Sequence, residues 1–142
     1  MSKEFVNWDQ ITIKSGATAD PAAGAQLASI TVPAGKRWKF VSLEATLVTD
    51  ATVATRYFLV TYYMDGTNIT YQTLAGVNIT ASLTRVQSYV TGSFVTTAGT
   101  EYGQHLPDIE LPAGATITMV AIALVAGDNI SAATYYYKEA SV

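Results

Sequence analysis

The segment Ile30-Thr31-Val32-Pro33-Ala34-Gly35 returns 79 positions later as Ile109-Glu110-Leu111-Pro112-Ala113-Gly114. Each copy runs into a stretch in which apolar residues alternate: Trp38, Phe40 and Ser42 after the first, Ile117, Met119 and Ala121 after the second. Alternation with period two is the mark of a half-buried strand. Proline presets φ for the second position of a β-turn, and the glycine relieves crowding as the chain leaves it. The pair of similar corners, each feeding a strand, predicts an all-β fold. It specifies scaffold and carries no chemistry.

A chain of 142 residues suits one domain, large enough to bury a core without staples. No cysteine is present, which excludes a disulfide framework or a thiolate metal site. The start Met1-Ser2-Lys3-Glu4 lacks the basic and apolar regions of a signal peptide, so synthesis without export is expected. The longest apolar run, Met119 to Ala126, is too short for a bilayer span of about 20 residues. Charged residues make up only 13% of the chain, where roughly 25% is usual; Thr, Ser, Asn and Gln cover part of the surface instead, and the shortage also suits a protein that hides surface against copies of itself or a larger assembly. A net charge of −3 gives no footprint for nucleic acid. The one basic cluster, Lys36, Arg37 and Lys39, is interrupted by Trp38 and reads as a solvated strand face above a buried tryptophan.

Strands are expected at 26–32, 37–49, 55–64, 68–74, 83–96, 107–111, 116–125 and 134–139, rich in Thr, Val, Ile and Tyr. Met64-Asp65-Gly66-Thr67 predicts a hairpin with a type I′ turn. Residues 16–25, Gly-Ala-Thr-Ala-Asp-Pro-Ala-Ala-Gly-Ala, have no apolar period and read as a linker or extended arm. Ahead of them Phe5, Trp8, Ile11 and Ile13 carry apolar weight suited to docking, on the same domain or on a neighbour. The chain therefore divides into an N-terminal arm, 1–25, and a β-sandwich domain, 26–142, with the jelly roll as the preferred version.

The arm, the stretch ITVPAGKRWKFVSLEATLVTDATVATRYFLV, and the later HLPDIELPAGATITMVAIAL and AGDNIS together resemble small virion proteins of tailed bacteriophages, in particular head decoration or cement proteins. The resemblance implies a β-sandwich or jelly-roll protein, often a homotrimer. Such a protein sits on the outer capsid, reinforces contacts between major capsid proteins and reaches a neighbour with its arm. It implies a virion location, no catalytic residues and no cofactor.

The chemistry-bearing residues agree with that expectation. His105 is the only histidine, so no His-pair metal site can exist, and no Gly-x-Ser-x-Gly elbow accompanies it. Flanked by Gly103 and Pro107, it is expected in a loop. The 11 carboxylates are scattered and mostly at expected turns, Asp108 and Glu110 being the pair nearest His105. Asp128 and Asn129 lack EF-hand spacing and read as a structural turn. Among nine tyrosines, Tyr135, Tyr136 and Tyr137 must split between the two faces of a strand, Tyr136 opposite to the others. An exposed member could anchor a protein interface or stack on a sugar. The alternative function is thus a receptor- or carbohydrate-binding module of a tail fibre, with a small hydrolase as a third reading.

Overall fold

The computed structural model describes residues 5–75, 78–92, 96–98 and 101–142. Residues 1–4 of the expected arm, 93–95 of the expected strand 83–96, and Gly99 lie outside them. Among the described residues eleven strands follow in order: β1 (Ile13–Ala17), β2 (Ile30–Thr31), β3 (Lys36–Val48), β4 (Tyr57–Tyr63), β5 (Ile69–Leu74), β6 (Thr84–Thr91), β7 (Thr96–Ala98), β8 (Glu101–Leu106), β9 (Thr116–Ile122), β10 (Asn129–Ile130) and β11 (Thr134–Ser141). They form two sheets. The large one runs β1-β11-β3-β6-β8-β7, with β10 also on β3, and the small one runs β2-β9-β4-β5. The fold is the expected all-β sandwich, of jelly-roll kind in that the chain passes repeatedly from one sheet to the other. Among the described strands all pairings are antiparallel except β6 with β8.

The repeated corners explain how the sheets are joined. At the first the chain leaves β2 in the small sheet and enters β3 in the large one; at the second it leaves a bridge on β3 at Leu111 and enters β9 in the small sheet. The corners lie side by side and exchange backbone hydrogen bonds. Val32 N donates to Ala115 O at 2.9 Å, Gly114 N to Val32 O at 3.0 Å, Trp38 N to Leu111 O at 2.9 Å and Leu111 N to Trp38 O at 2.7 Å. Similar sequence at 30–35 and 109–114 thus serves two opposed crossovers. The turn itself is displaced by one residue from the expectation. Lys36 N donates to Pro33 O and Ala115 N to Pro112 O, so each proline opens the turn and each glycine, Gly35 at φ 74 and Gly114 at φ 83, takes its third position. Positive φ there is what demands glycine.

Between the sheets lies a core of Trp38, Phe40, Leu43, Ala45 and Leu47 from β3, Phe58, Val60 and Tyr62 from β4, and Ile117, Met119 and Ala121 from β9. The alternation expected through Ser42 breaks because β11 pairs Tyr137 with Phe40 but Tyr136 with Ser42, leaving Val41 as an extra residue. This bulge turns Ser42 outward and Leu43 inward. The Asp-Gly hairpin also differs from the type I′ expectation: Gly66 takes a positive φ of 78 but Asp65 does not, and five residues separate β4 from β5. The Asp65 carboxylate accepts from Thr67 N at 2.8 Å and Asn68 N at 2.7 Å, closing the loop with its side chain. These contacts hold its pKa down at about 2.

Candidate interaction surface

Of the N-terminal residues expected to dock, Trp8 is seated on its own domain at the corner end of the sandwich. Trp8 begins a short 3-10 turn, Trp8–Gln10, started by the Asn7 side chain, which accepts from Asp9 N. The indole Nε1 donates to Glu110 Oε2 at 3.3 Å, the Lys39 ammonium lies 5.7 Å over the ring, and Lys138 Nζ donates to Trp8 O at 2.8 Å. Glu110 in turn accepts from Arg37 Nη1 at 3.0 Å, and Lys39 pairs with Asp108 at 3.4 Å. Ile11 is half-buried, whereas Phe5 is 94% exposed. Phe5, Trp8, Arg37, Met64, Glu110 and Pro112 surround an open groove of about 700 Å³. The expected linker begins later than its composition suggests. Gly16 and Ala17 complete β1, which pairs from Ile13↔Lys138 to Ala17↔Thr134 along β11.

On β11 the tyrosine triplet splits as strand geometry requires. Tyr137 stacks on Trp38 with ring centroids 4.0 Å apart, and Tyr135 lies 5.7 Å from Phe40, both against the core. Tyr136 points outward and is 45% exposed. Around it Ser42, Glu44, Ser88, Val90 and Thr134 form a shallow depression on the outward face of the large sheet, where Ser88 Oγ donates to Glu44 Oε2 at 2.6 Å. Below the triplet, Glu139 accepts from Trp38 Nε1 and Lys14 Nζ, both at 2.8 Å. Bonds from Lys14 and then Trp38 lower the Glu139 pKa from 4.5. A lone exposed ring offers no aromatic pair for a sugar.

His105 lies in β8, in parallel register with Val90, and not in the expected loop, because β8 forms through its pairing with β6 despite Gly103. Asp108 and Glu110 are each held by a cation, as given above. Among the described residues no group of three His, Cys, Asp or Glu stands close enough to hold a metal ion, and no helix is long and apolar enough to cross a membrane.

The arrangement that sequence reasoning missed is at the opposite end. Arg56, wholly buried just before β4, donates from Nε and Nη2 to both oxygens of Asp128, at 2.8 and 2.9 Å, from Nη2 to Asp50 Oδ1 at 3.3 Å and from Nη1 to Ala54 O at 3.0 Å. Asp128, also wholly buried, accepts in addition from Asp50 N and Val125 N, each at 3.0 Å. Burial alone would raise the Asp128 pKa, but the Arg56 bond and the two amides outweigh it and hold the carboxyl below 3.8. Its oxygens are committed, so this turn locks loops together and offers nothing to a calcium ion.

No protein-family model and no curated protein matches the sequence. Among solved structures the chain is similar to three from infectious bursal disease virus. With the T13 viral particle it shares 11% identity at a TM-score of 0.47, over 92% of this chain and 31% of that one. With the Gx strain the values are 12% and 0.41, over 91% and 31%. With the VP2 subviral particle they are 11% and 0.41, over 92% and 33%. The chain spans about a third of the length of each.

Proposed function

We propose that the protein is a structural virion protein that binds the outer surface of a bacteriophage capsid and stabilises it. In this reading it is made in the host cytoplasm and acts as a homotrimer in contact with the major capsid protein, with neither nucleic acid nor membrane as partner. The observation that carries the reading is where the few charges sit. The ion pairs among the described residues gather at the two ends of the sandwich and along the β1 edge, and the outward face formed by β4, β5 and β9 is left to neutral side chains. Flat neutral faces suit contact with protein, whereas chemistry needs converging titratable groups. The resemblance of the sequence to head decoration proteins supports the same class. Within it the N-terminal segment divides its work: Trp8 and Ile11 anchor on the domain, and Phe5 presents its ring to a neighbouring subunit. Tyr136 is the member of its triplet placed to join an interface.

Sedimentation velocity at micromolar concentration, followed by co-pelleting with purified heads of the phage whose genome carries the gene, tests the proposal. A species of about 45 kDa, three times 15.1 kDa, that saturates the heads is the expected result. A 15.1 kDa monomer that leaves the heads unbound would sink it.

A further inference from the structure

The outward face of the small sheet differs in its chemistry from that of the large sheet. Phe58, Val60 and Tyr62 of β4 point into the core, so Tyr57, Leu59, Thr61 and Tyr63 point away from it. Register sets Ile122, Val120, Thr118 and Thr116 of β9 beside them in that order. On the other flank β5 sets Leu74 beside Leu59, Gln72 beside Thr61 and Ile69 beside Tyr63. None of these side chains is charged. Ile69 and Leu74 are 56% and 49% exposed, and Leu59, Val120 and Ile122 are partly so. The outward face of the large sheet, by contrast, carries Lys39, Glu44 and Lys138, whose register partners lie across β3, β6 and β11.

Strands covered on both faces read as near-continuous apolar runs, while a strand with one wet face alternates with polar residues. β4, Tyr-Phe-Leu-Val-Thr-Tyr-Tyr, and the end of β9, Met-Val-Ala-Ile, read as the first kind. Within the chain their inner face is covered, whereas on the outward face Thr61 alone is buried, under the Gln72 side chain, and the other side chains named stay partly or largely exposed. We propose that the outward face of β4, β5 and β9 is the surface through which copies of this chain associate, an inference that rests on the self-association proposed above and assigns it a place.

Symmetry selects a second copy as the occupant. About a rotation axis the same patch of each subunit converges, so any charge near the axis meets its own kind, at a cost of several kcal/mol for each such pair. A different protein imposes no such requirement and could complement a charge. A face free of charge, on a chain with 8 basic and 11 acidic residues, satisfies the symmetric case. Its extent is consistent with that role. The three strands, each of about seven residues, cover roughly 24 by 14 Å, or about 340 Å², from strand rise and spacing. That is the size of an apolar centre for an interface of about 800 Å² per partner, with flanking loops as the rim.

Sedimentation velocity of the full chain, with melting curves on every variant, tests the assignment. Leu59→Lys combined with Val120→Lys brings ammonium groups together at the axis and should weaken association at least tenfold. Thr46→Lys with Val86→Lys, a register pair on the outward face of the large sheet, should leave it unchanged. Should the first pair fail to fold, Leu59→Thr with Val120→Thr keeps strand propensity, removes apolar area and should still weaken association. An oligomer indifferent to the face variants overturns the surface and leaves self-association standing. A wild-type monomer overturns both.

Discussion

Two arginines, Arg56 and Arg37, meet carboxylates at opposite ends of the sandwich, and the pairs differ in almost everything but chemistry. Arg56 and Asp128 are both wholly buried and bonded through two parallel contacts. The Arg37 side chain is 16% exposed and its partner Glu110 39%, with a single contact at 3.0 Å. Water decides what each pair can do. In the dry pair, removal of either partner strands a charge with no solvent to receive it; in the wet pair solvent takes the place of a lost partner. One end is therefore a fixed staple between loops. The other is a seat for Trp8, expected to be vacated without unfolding the domain.

The largest effect should come from Asp128→Ala. Arg56 would be left buried and uncompensated, a loss of about 3–5 kcal/mol, a large part of the stability of a domain this size. Urea denaturation of this variant against Glu110→Ala measures the contrast directly, and equal losses would break it. Arg56→Met with Asp128→Leu leaves no buried charge and should recover part of the loss, the remainder being the Asp50 and Val125 amides that lose their acceptor.

Acid separates the same two ends. The folded pKa of Asp128 lies below its unfolded value of 3.8, so its contribution is present above that value and is lost as pH falls through the folded pKa. Glu139, lowered from 4.5 by Lys14 and Trp38, behaves in the same sense with a smaller share because it is close to solvent. Urea midpoints should be flat from pH 7 to about 5 and then drop, and Asp128→Asn should start lower and drop less. A midpoint that rises on acidification would contradict the assignment of Asp128 as a native carboxylate.

The two ends were unequally legible in sequence. At the corner end, the Pro-Ala-Gly repeat and the alternation after it located β3 and β9 to within a few residues, because turn chemistry and one buried face are local signals. β4, β5 and β11 followed for the same reason. β1 did not, since an edge strand such as Ile-Lys-Ser-Gly-Ala needs no apolar face, and its pairing partner β11 lies more than a hundred residues away. β2 proved far shorter than expected. The Gln26 side chain donates to Ala121 O at 2.7 Å and accepts from Ala121 N at 2.9 Å, taking the ladder positions a longer strand would have used. At the other end, Arg56 and Asp128 stand 72 positions apart, and each alone reads as an ordinary surface charge or turn residue. Only tertiary structure makes them a pair.

A smaller effect is expected from deleting residues 1–17. Four of the five β1 residues are exposed, so the truncation removes little core, although it uncovers the β11 edge and ends the Lys14–Glu139 contact. The remaining domain should keep its β-type circular dichroism and melt a few degrees lower, a loss of about 1–2 kcal/mol. Collapse of the spectrum would make the segment part of the core. Under the proposed function the truncated protein should also bind heads more weakly, and undiminished binding would remove the docking role of Phe5.

The smallest effect belongs to Glu110→Gln, and it sharpens the comparison most. The substitution keeps an acceptor for the Trp8 indole and deletes only the charge facing Arg37. Because Glu110 is more than a third exposed, solvent screening holds the expected loss to about 0.2–1 kcal/mol, and added salt should shrink it further. Trp8 reports separately. Its ring lies under Lys39 and against Glu110, whereas Trp38 is buried, so on a Trp38→Phe background the emission follows Trp8 alone. Glu110→Gln should leave that emission nearly unchanged in low salt, and Glu110→Ala should shift it to the red as the indole loses its acceptor and meets water. A red shift of the same size in both variants would mean that the charge on Glu110, and not its hydrogen bond, holds Trp8 in place.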